Sequence, residues 1–135
     1  MRVIIDTNVL ISAIGKFSPN RKLFDSVLNG KLELCISNDI FHEYIEILEI
    51  KTNSEIATNF ANLISMLPNI IFTNIFYKWN IIEQDPDDNK FIDCYIVSNS
   101  DYLITNDKHF DIVKKNIFPE INIISSEEFI KKILI

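Results

Sequence analysis

Residues 85–107, DPDDNKFIDCYIVSNSDYLITND, contain the helix, the strand and the acidic residue on which the prediction of the fold depends. Residues 85–88 predict a helix start, because proline suits the first turn and the helix dipole favours acidic side chains there. The helix is expected to end at about Asn99. Residues 102–105 are then a short apolar strand, and Asp107 follows the end of that strand.

The same alternation of strand and helix extends outward in both directions. Further strands are predicted at residues 3–5, 32–36, 70–72 and 121–124. Further helices are predicted from Pro19 to Gly30, from Asn38 or Asp39 to about Ile50, from Ser54 to Met66, from Lys108 to Lys115, and after a capping box at 125–128. This alternation predicts an α/β fold, a three-layer α/β/α sandwich with a central, mostly parallel sheet.

Residues 73–85 show no clear pattern, and Trp79 within them is expected to lie in the core. No linker or repeat interrupts the 135 residues, so residues 1–135 are predicted to form one domain. Cys35 and Cys94 each lie in an apolar run and are expected to be buried small side chains. With no export segment and no apolar run of about 20 residues, the chain is expected to be cytoplasmic and outside the membrane.

The formal net charge of −6 is unusual for a protein that binds nucleic acid. Proteins that bind phosphates usually present a basic face, because neutralising phosphates releases counterions. Two explanations remain open at this point. Either a local cluster of acids binds divalent cations that offset the charge, or the protein does not bind nucleic acid.

Four carboxylates are predicted to meet at one edge of the sheet. Asp6 directly follows the strand at 3–5, and Asp107 follows the strand at 102–105. Asp88 opens a helix, and Glu43 lies about one turn into the helix after the strand at 32–36. Because ligands bind outside the carboxyl ends of parallel strands, these acids are candidates for a shared site.

Mutual repulsion indicates what such a cluster requires. Two carboxylates about 4 Å apart repel by roughly 4 kcal/mol at an effective dielectric of 20, so four of them need protons, separation or cations. Oxygen ligands without histidine or cysteine favour Mg²⁺ or Mn²⁺ over Zn²⁺. Such ions activate water and stabilise the leaving oxygen in phosphodiester hydrolysis. The pattern therefore favours metal-dependent phosphodiester chemistry, although a simple Mg²⁺ site would look similar.

Four blocks of the sequence resemble the PIN-domain family. DTNVLISA at 6–13 is similar to its opening motif, SNDIFHEYIEIL at 37–48 to its second block, and residues 85–107 to its third and fourth. The resemblance continues into INIISSEEFIKKIL near the end of the chain. It is strongest to bacterial and archaeal PIN proteins that act as toxins of toxin–antitoxin pairs, the relatives of VapC.

The resemblance implies a PIN-like fold and a ribonuclease that uses Mg²⁺ or Mn²⁺. It also implies an antitoxin protein as partner and a homodimer. The metal-binding and catalytic acids it implies are Asp6, Glu43, Asp88 and Asp107, with Asp93 as a further candidate ligand. Asn8 and Thr105 match positions that support the first and the last acid in the family. The residues expected to contact RNA are Lys16, Lys22, Lys90 and Lys108.

Several residues compete with these assignments. Asp85 or Asp87 could replace Asp88, and Glu46 could replace Glu43 although its spacing suggests a solvated face. The histidines, His42 and His109, are expected to be surface or hydrogen-bonded residues without a catalytic role.

Other functions are less consistent with the sequence. A haloacid-dehalogenase-type phosphatase needs a second aspartate two positions after the first, where this chain has Asn8. A receiver domain needs an acidic pair before its aspartate and a lysine after a late strand, and neither is evident. The main alternative is a non-catalytic PIN scaffold that binds RNA or a protein partner.

Overall fold

The protein is described from a computed structural model, which describes residues 1–82, 86–115 and 119–134. A five-stranded sheet lies at its centre, with every neighbouring pair of strands parallel and the order β3-β2-β1-β4-β5. In chain order the strands are β1 Arg2–Ile5, β2 Glu33–Ile36, β3 Ile70–Phe72, β4 Tyr102–Ile104 and β5 Ile123–Ile124.

Helices flank this sheet, which confirms the predicted α/β/α sandwich with a parallel sheet. In the described part of the chain the α-helices are α1 Thr7–Ile14, α2 Arg21–Leu28, α3 Asn38–Lys51, α4 Ser54–Met66, α5 Asn89–Ser98 and α6 Ser126–Lys132. Two 3-10 helices, Pro86–Asp88 and Lys108–Lys115, precede α5 and follow β4. No helix among the described residues is long and apolar enough to cross a membrane.

The central strand β1 organises the core. Val3 pairs with Leu34 of β2 on one side and with Tyr102 of β4 on the other. Val3, Ile4 and Ile5 are all fully buried, as expected for a parallel strand that is covered by helices on both faces. The carboxyl ends of β1 and β4 therefore lie side by side, and the residues after them begin the candidate site.

Most helices and strands lie where the sequence predicted them, and helix α4 and strand β3 have the predicted bounds. The helix α2 begins later, at Arg21, because Ser18 Oγ accepts a hydrogen bond from the Asn20 backbone N–H at 3.1 Å and holds a turn around Pro19. The cap of α3 is Ser37, whose Oγ accepts from Ile40 N at 3.3 Å, and not Asn38 or Asp39.

The prediction that Trp79 lies in the core was wrong. Residues 73–82 form no helix or strand, and the half-buried Trp79 ring packs edge-to-face on Tyr77 with centroids 5.1 Å apart. The segment is attached to α5 by side chains instead. Asn89 exchanges two hydrogen bonds of 2.8 Å with the backbone of Ile82, and Asp93 Oδ1 accepts from Trp79 N at 3.0 Å. Asp85, a rival for the metal-binding position, lies outside the described residues.

Both cysteines are buried and free, which agrees with the prediction that they pack as small apolar side chains. Burial raises the pKa of the Cys94 thiol to about 12, with a smaller contribution from the neighbouring Cys35. The uncharged thiol is therefore the stable form, and it suits a packing role.

Candidate active site

Asp6 and Asp107 are joined through the hydroxyl of Thr105. The Asp6 backbone N donates to Ile104 O at 3.0 Å, which continues the pairing of β1 with β4 past the strand ends. Thr105 Oγ1 donates a hydrogen bond to Asp6 Oδ2 at 2.8 Å and accepts one from Asp107 N at 3.0 Å. The parallel pairing of β1 and β4 therefore fixes these two acids beside each other.

Asp6 is only 6 % exposed, and its environment acts against ionisation. Burial is the main cause that raises the pKa of its carboxyl, and hydrogen bonds from Thr105 and the Thr7 backbone lower the pKa by less. The negative charges of Asp107 and Glu43 raise the pKa further. Asp107 and Glu43 thus each oppose the ionisation of Asp6, and a bound cation would relieve this repulsion.

Asp88 and Asp107 are brought together with a histidine. Asp88 ends the 3-10 helix Pro86–Asp88 and occupies the N-cap position of α5 without a capping hydrogen bond from its side chain. Its Oδ2 lies 3.7 Å from His109 Nδ1. The same His109 nitrogen lies 3.4 Å from Asp107 Oδ1. One ligand atom from each of these three residues lies within 4.8 Å of the other two. The side chain of His109 is 54 % exposed, as expected for a surface residue, and it also lies beside two predicted ligands.

Glu43 is held by two partners. Thr7 Oγ1, at the start of α1, donates a short hydrogen bond to Glu43 Oε2. Lys90 Nζ, on α5, lies 2.9 Å from Glu43 Oε1 and 3.1 Å from Asp87 Oδ1, with only 13 % of its side chain exposed. Burial alone would lower the pKa of Lys90, but the hydrogen bonds to Glu43 and Asp87 outweigh it and raise that pKa. Lys90 is therefore a charged counter-ion within the cluster, which leaves it little freedom to contact RNA.

The other predicted site residues are distributed around the acids. Asn8 lines an open cavity of about 390 Å³ together with Asp6 and Asp107. Asp93 lines a second cavity with Glu43 and Lys90, but its carboxylate holds the Trp79 backbone, and burial raises its pKa. Three of the predicted RNA-binding lysines are exposed, namely Lys16, Lys22 and Lys108.

The donor set fits a divalent cation. Asp88 and Asp107 present carboxylate oxygens close to each other, and Thr105 holds Asp6 beside Asp107. Carboxylate oxygens are the ligands that Mg²⁺ and Mn²⁺ prefer. Glu43 is already neutralised by Lys90, so it suits the orientation of a water better than direct coordination.

Two features of the site were missed by the sequence analysis. The sequence Asp-Lys-His at residues 107–109 indicates that His109 lies close to Asp107. An aspartate side chain commonly accepts a hydrogen bond from the backbone N–H two residues later in the chain. The Asp107 Oδ1 bond to His109 N, 2.9 Å, is such a contact. The pairing of Lys90 with Glu43 had no local signal, because it joins two helices that are distant in sequence.

Comparisons with known proteins agree with the geometry. Residues 2–109 match the PIN domain family. No curated protein sequence matches the chain. Among solved structures, a chain in the crystal structure of VapBC2 from Rickettsia felis bound to a DNA fragment from their promoter is similar, with a TM-score of 0.62 and 18 % identity. The match covers 93 % of this chain and 98 % of that chain. PIN domains are generally nucleases, and the family match spans every acid of the site. By fold and by sequence, this chain is a member of the PIN-domain family.

Proposed function

We propose that the protein is a metal-dependent endoribonuclease and the toxin of a toxin–antitoxin pair. The observation that carries this proposal is the convergence of Asp6, Asp107 and Glu43, which follow three different strands. Thr105 joins Asp6 to Asp107 by hydrogen bonds, and Thr7, the residue after Asp6, donates a hydrogen bond to Glu43. A cluster of this kind, with one acid almost fully buried, destabilises the folded chain unless protons or a cation offset the negative charge, and such clusters occur preferentially at functional sites.

The proposed chemistry assigns a role to each side chain. Asp6, Asp88 and Asp107 would hold Mg²⁺ or Mn²⁺, which when bound supplies an activated water and stabilises charge on the leaving oxygen. Thr105 holds Asp6 in one orientation through its 2.8 Å hydrogen bond. Glu43, fixed by Thr7 and Lys90, would accept a hydrogen bond from the attacking water and orient it.

RNA would approach over the edge that carries the acids. Asn20 lines the cavity beside Asp6, and the exposed Lys22 follows it two residues later in the first turn of α2. Lys108 directly follows Asp107 and is also exposed. These lysines, with Lys16, would meet phosphates locally in a chain whose net charge is −6.

An antitoxin partner and a homodimer belong to the same proposal. The similar Rickettsia structure is VapBC2 bound to promoter DNA. In this chain, Phe76 and Tyr77 are 90 % and 63 % exposed, in the segment attached to α5, and exposed aromatic side chains are typical of protein interfaces.

We propose a cytoplasmic location for the toxin and its antitoxin. Sedimentation at micromolar concentration should detect the dimer, and a monomer of 15.7 kDa would contradict it.

A non-catalytic PIN scaffold remains the second candidate. The observation that favours it is the acidic composition, with a sequence pI of about 4.8, which opposes tight binding of RNA. A scaffold would retain the fold and its protein contacts, but it would not cut RNA under any metal condition.

The two candidates are separated by cleavage of labelled single-stranded RNA with Mg²⁺, with Mn²⁺ and with EDTA. Wild type should cut only with metal, and Asp6→Asn should reduce the rate by more than about 100-fold. The matched control is Asp25→Asn, which should cut RNA at the wild-type rate. Asp25 is an exposed acid on α2, and among the described residues its side chain pairs with Arg21. Cleavage that survives EDTA, or that is equal in wild type and Asp6→Asn, would contradict the metal mechanism. A wild type that binds metal yet cuts no RNA would favour the scaffold.

A further inference from the structure

His109 lies within the acidic cluster at distances typical of ligands that share one cation. Its Nδ1 is 3.4 Å from Asp107 Oδ1 and 3.7 Å from Asp88 Oδ2. Atoms bound about 2.1 Å from one ion lie roughly 3 to 4 Å apart, so only small rotations would bring all three groups onto an ion. An imidazole can therefore join the two carboxylates as a ligand.

The position of His109 is fixed by contacts on both sides of it. On one side, the hydrogen bond from its backbone N to Asp107 Oδ1, 2.9 Å, ties it to the acid that follows β4. On the other side, Phe110 is fully buried and packs edge-to-face on Phe91 of α5, with ring centroids 6.3 Å apart. The turn that carries the imidazole is thus anchored to the helix whose N-cap position Asp88 occupies.

We propose that His109 is a nitrogen ligand of the metal ion held by Asp88 and Asp107, and that it makes the site prefer a divalent transition ion such as Mn²⁺ over Mg²⁺. The chemical reason is that Mg²⁺ selects oxygen ligands, whereas transition ions accept imidazole readily. The inference rests on the proposed metal-dependent function, and it narrows the choice of ion.

Direct metal binding tests this inference without any measurement of cleavage. Mn²⁺ is titrated into the metal-free protein and followed by electron paramagnetic resonance, and pulsed spectra of the bound Mn²⁺ report coupling to ligand ¹⁴N. The wild type should show imidazole nitrogen coupling. His109→Ala should lose it and bind Mn²⁺ at least about tenfold more weakly, whereas Mg²⁺ affinity should change by no more than about twofold.

His42 supplies the matched control, because it is the other of the chain's two histidines and is exposed on α3. His42→Ala should keep both the nitrogen coupling and the Mn²⁺ affinity. Thermal unfolding checks that His109→Ala is folded, and His109→Gln provides a second variant if it is not.

The outcomes separate this inference from the function on which it rests. Mn²⁺ that binds to wild type without nitrogen coupling, or with equal affinity in the folded His109 variant, overturns the role of His109 and leaves the carboxylate site intact. A wild type that binds no Mn²⁺, or that binds it equally after Asp6→Asn and Asp107→Asn, overturns the metal site and this inference together.

Discussion

Lys90 Nζ lies 2.9 Å from Glu43 Oε1, so an ammonium group from α5 neutralises an acid of α3 within the candidate active site. Both side chains are largely buried, with 13 % and 24 % exposed. The cluster therefore does not consist of four equivalent carboxylates. Lys90 neutralises Glu43, which distinguishes this acid from Asp6, whose pKa burial raises.

Replacing Lys90 with methionine should leave Glu43 as an uncompensated, largely buried charge. We expect Lys90→Met to lower the free energy of unfolding by about 1 to 2 kcal/mol in the absence of metal. In the RNA assay, kcat should fall at least about tenfold with little change in KM, because Glu43 loses its fixed orientation.

The matched control is Asp87→Asn, which removes the other acidic partner of Lys90 but is 80 % exposed. Urea unfolding should detect a change of no more than about 0.5 kcal/mol for this variant. Equal effects of Lys90→Met and Asp87→Asn would contradict a specific role for the contact with Glu43.

Thr105 should act on metal binding through Asp6 and Asp107. Thr105→Val keeps the shape of the side chain but removes the donor to Asp6 and the acceptor for Asp107 N, at a cost of about 2 kcal/mol in stability. We expect Mn²⁺ affinity to fall at least about tenfold in isothermal titration. Thr105→Ser retains the hydroxyl, so a similar loss of affinity in both variants would show that the hydrogen bonds are not the cause.

The protonation of Asp6 should make stability depend on pH in a predictable direction. Its pKa is raised in the folded protein, above all by burial, so the folded state holds this proton to a higher pH than the unfolded chain. Stability from this group is therefore present below the unfolded pKa and is lost as pH rises through the folded pKa. The Asp6→Asn variant has no carboxyl group at this position, so it does not lose this stability. Its free energy of unfolding relative to that of wild type should therefore increase as pH rises from the unfolded to the folded pKa of Asp6, and it should stay constant above that pH.

Urea unfolding in EDTA at a series of pH values measures this difference between Asp6→Asn and wild type. Comparing the two proteins separates Asp6 from Asp93, whose pKa burial also raises. When Mn²⁺ is added, wild type should become the more stable of the two proteins at neutral pH. Only wild type binds the ion, and at an Mn²⁺ concentration of 100 times the dissociation constant this binding adds about 2.7 kcal/mol to its stability. A difference that is constant with pH would contradict the raised pKa.

The fold was largely predictable because the signals that specify it are local. The uninterrupted apolar run at Val3–Ile5 indicated a strand covered on both faces, and the pattern of residues 54–66 indicated the helix that is observed. The placement of Asp6 and Asp107 followed from one geometric rule, that parallel strands end at the same edge of a sheet. The positions that the sequence left open depend on contacts between distant residues.

Trp79 and Lys90 show why those positions were not predictable. The size of Trp79 suggested the core, but its backbone is attached to the surface of α5 by Asp93, fourteen residues later in the chain. Lys90 was predicted to contact RNA because the chain has few arginines for that role, and only the packing of α5 beside α3 pairs it with Glu43. Residue type indicated the chemistry in both cases, whereas the tertiary contacts determined the partner.

RNA affinity should depend on lysines at the edge that carries the acids. Lys22→Ala should weaken RNA binding equally for different sequences and reduce the slope of log affinity against log salt by about 1, because an exposed lysine that neutralises one phosphate adds affinity without reading the bases. Lys31→Ala is the matched control, because Lys31 precedes β2 and lies at the opposite edge of the sheet. Fluorescence anisotropy across several salt concentrations measures both slopes, and equal slopes for the two variants would contradict this binding surface.

Asp6, Asp88 and Asp107 are proposed to share a divalent cation at the carboxyl edge of the sheet. Anomalous diffraction from crystals grown with Mn²⁺ is the sharpest test of this site, since the anomalous signal locates the metal independently of any activity. We expect a peak within about 2.5 Å of carboxylate oxygens from these three residues, and no peak there in crystals of Asp6→Asn. A fully occupied peak elsewhere on the molecule, or none at this edge with Mn²⁺ in excess, would contradict it.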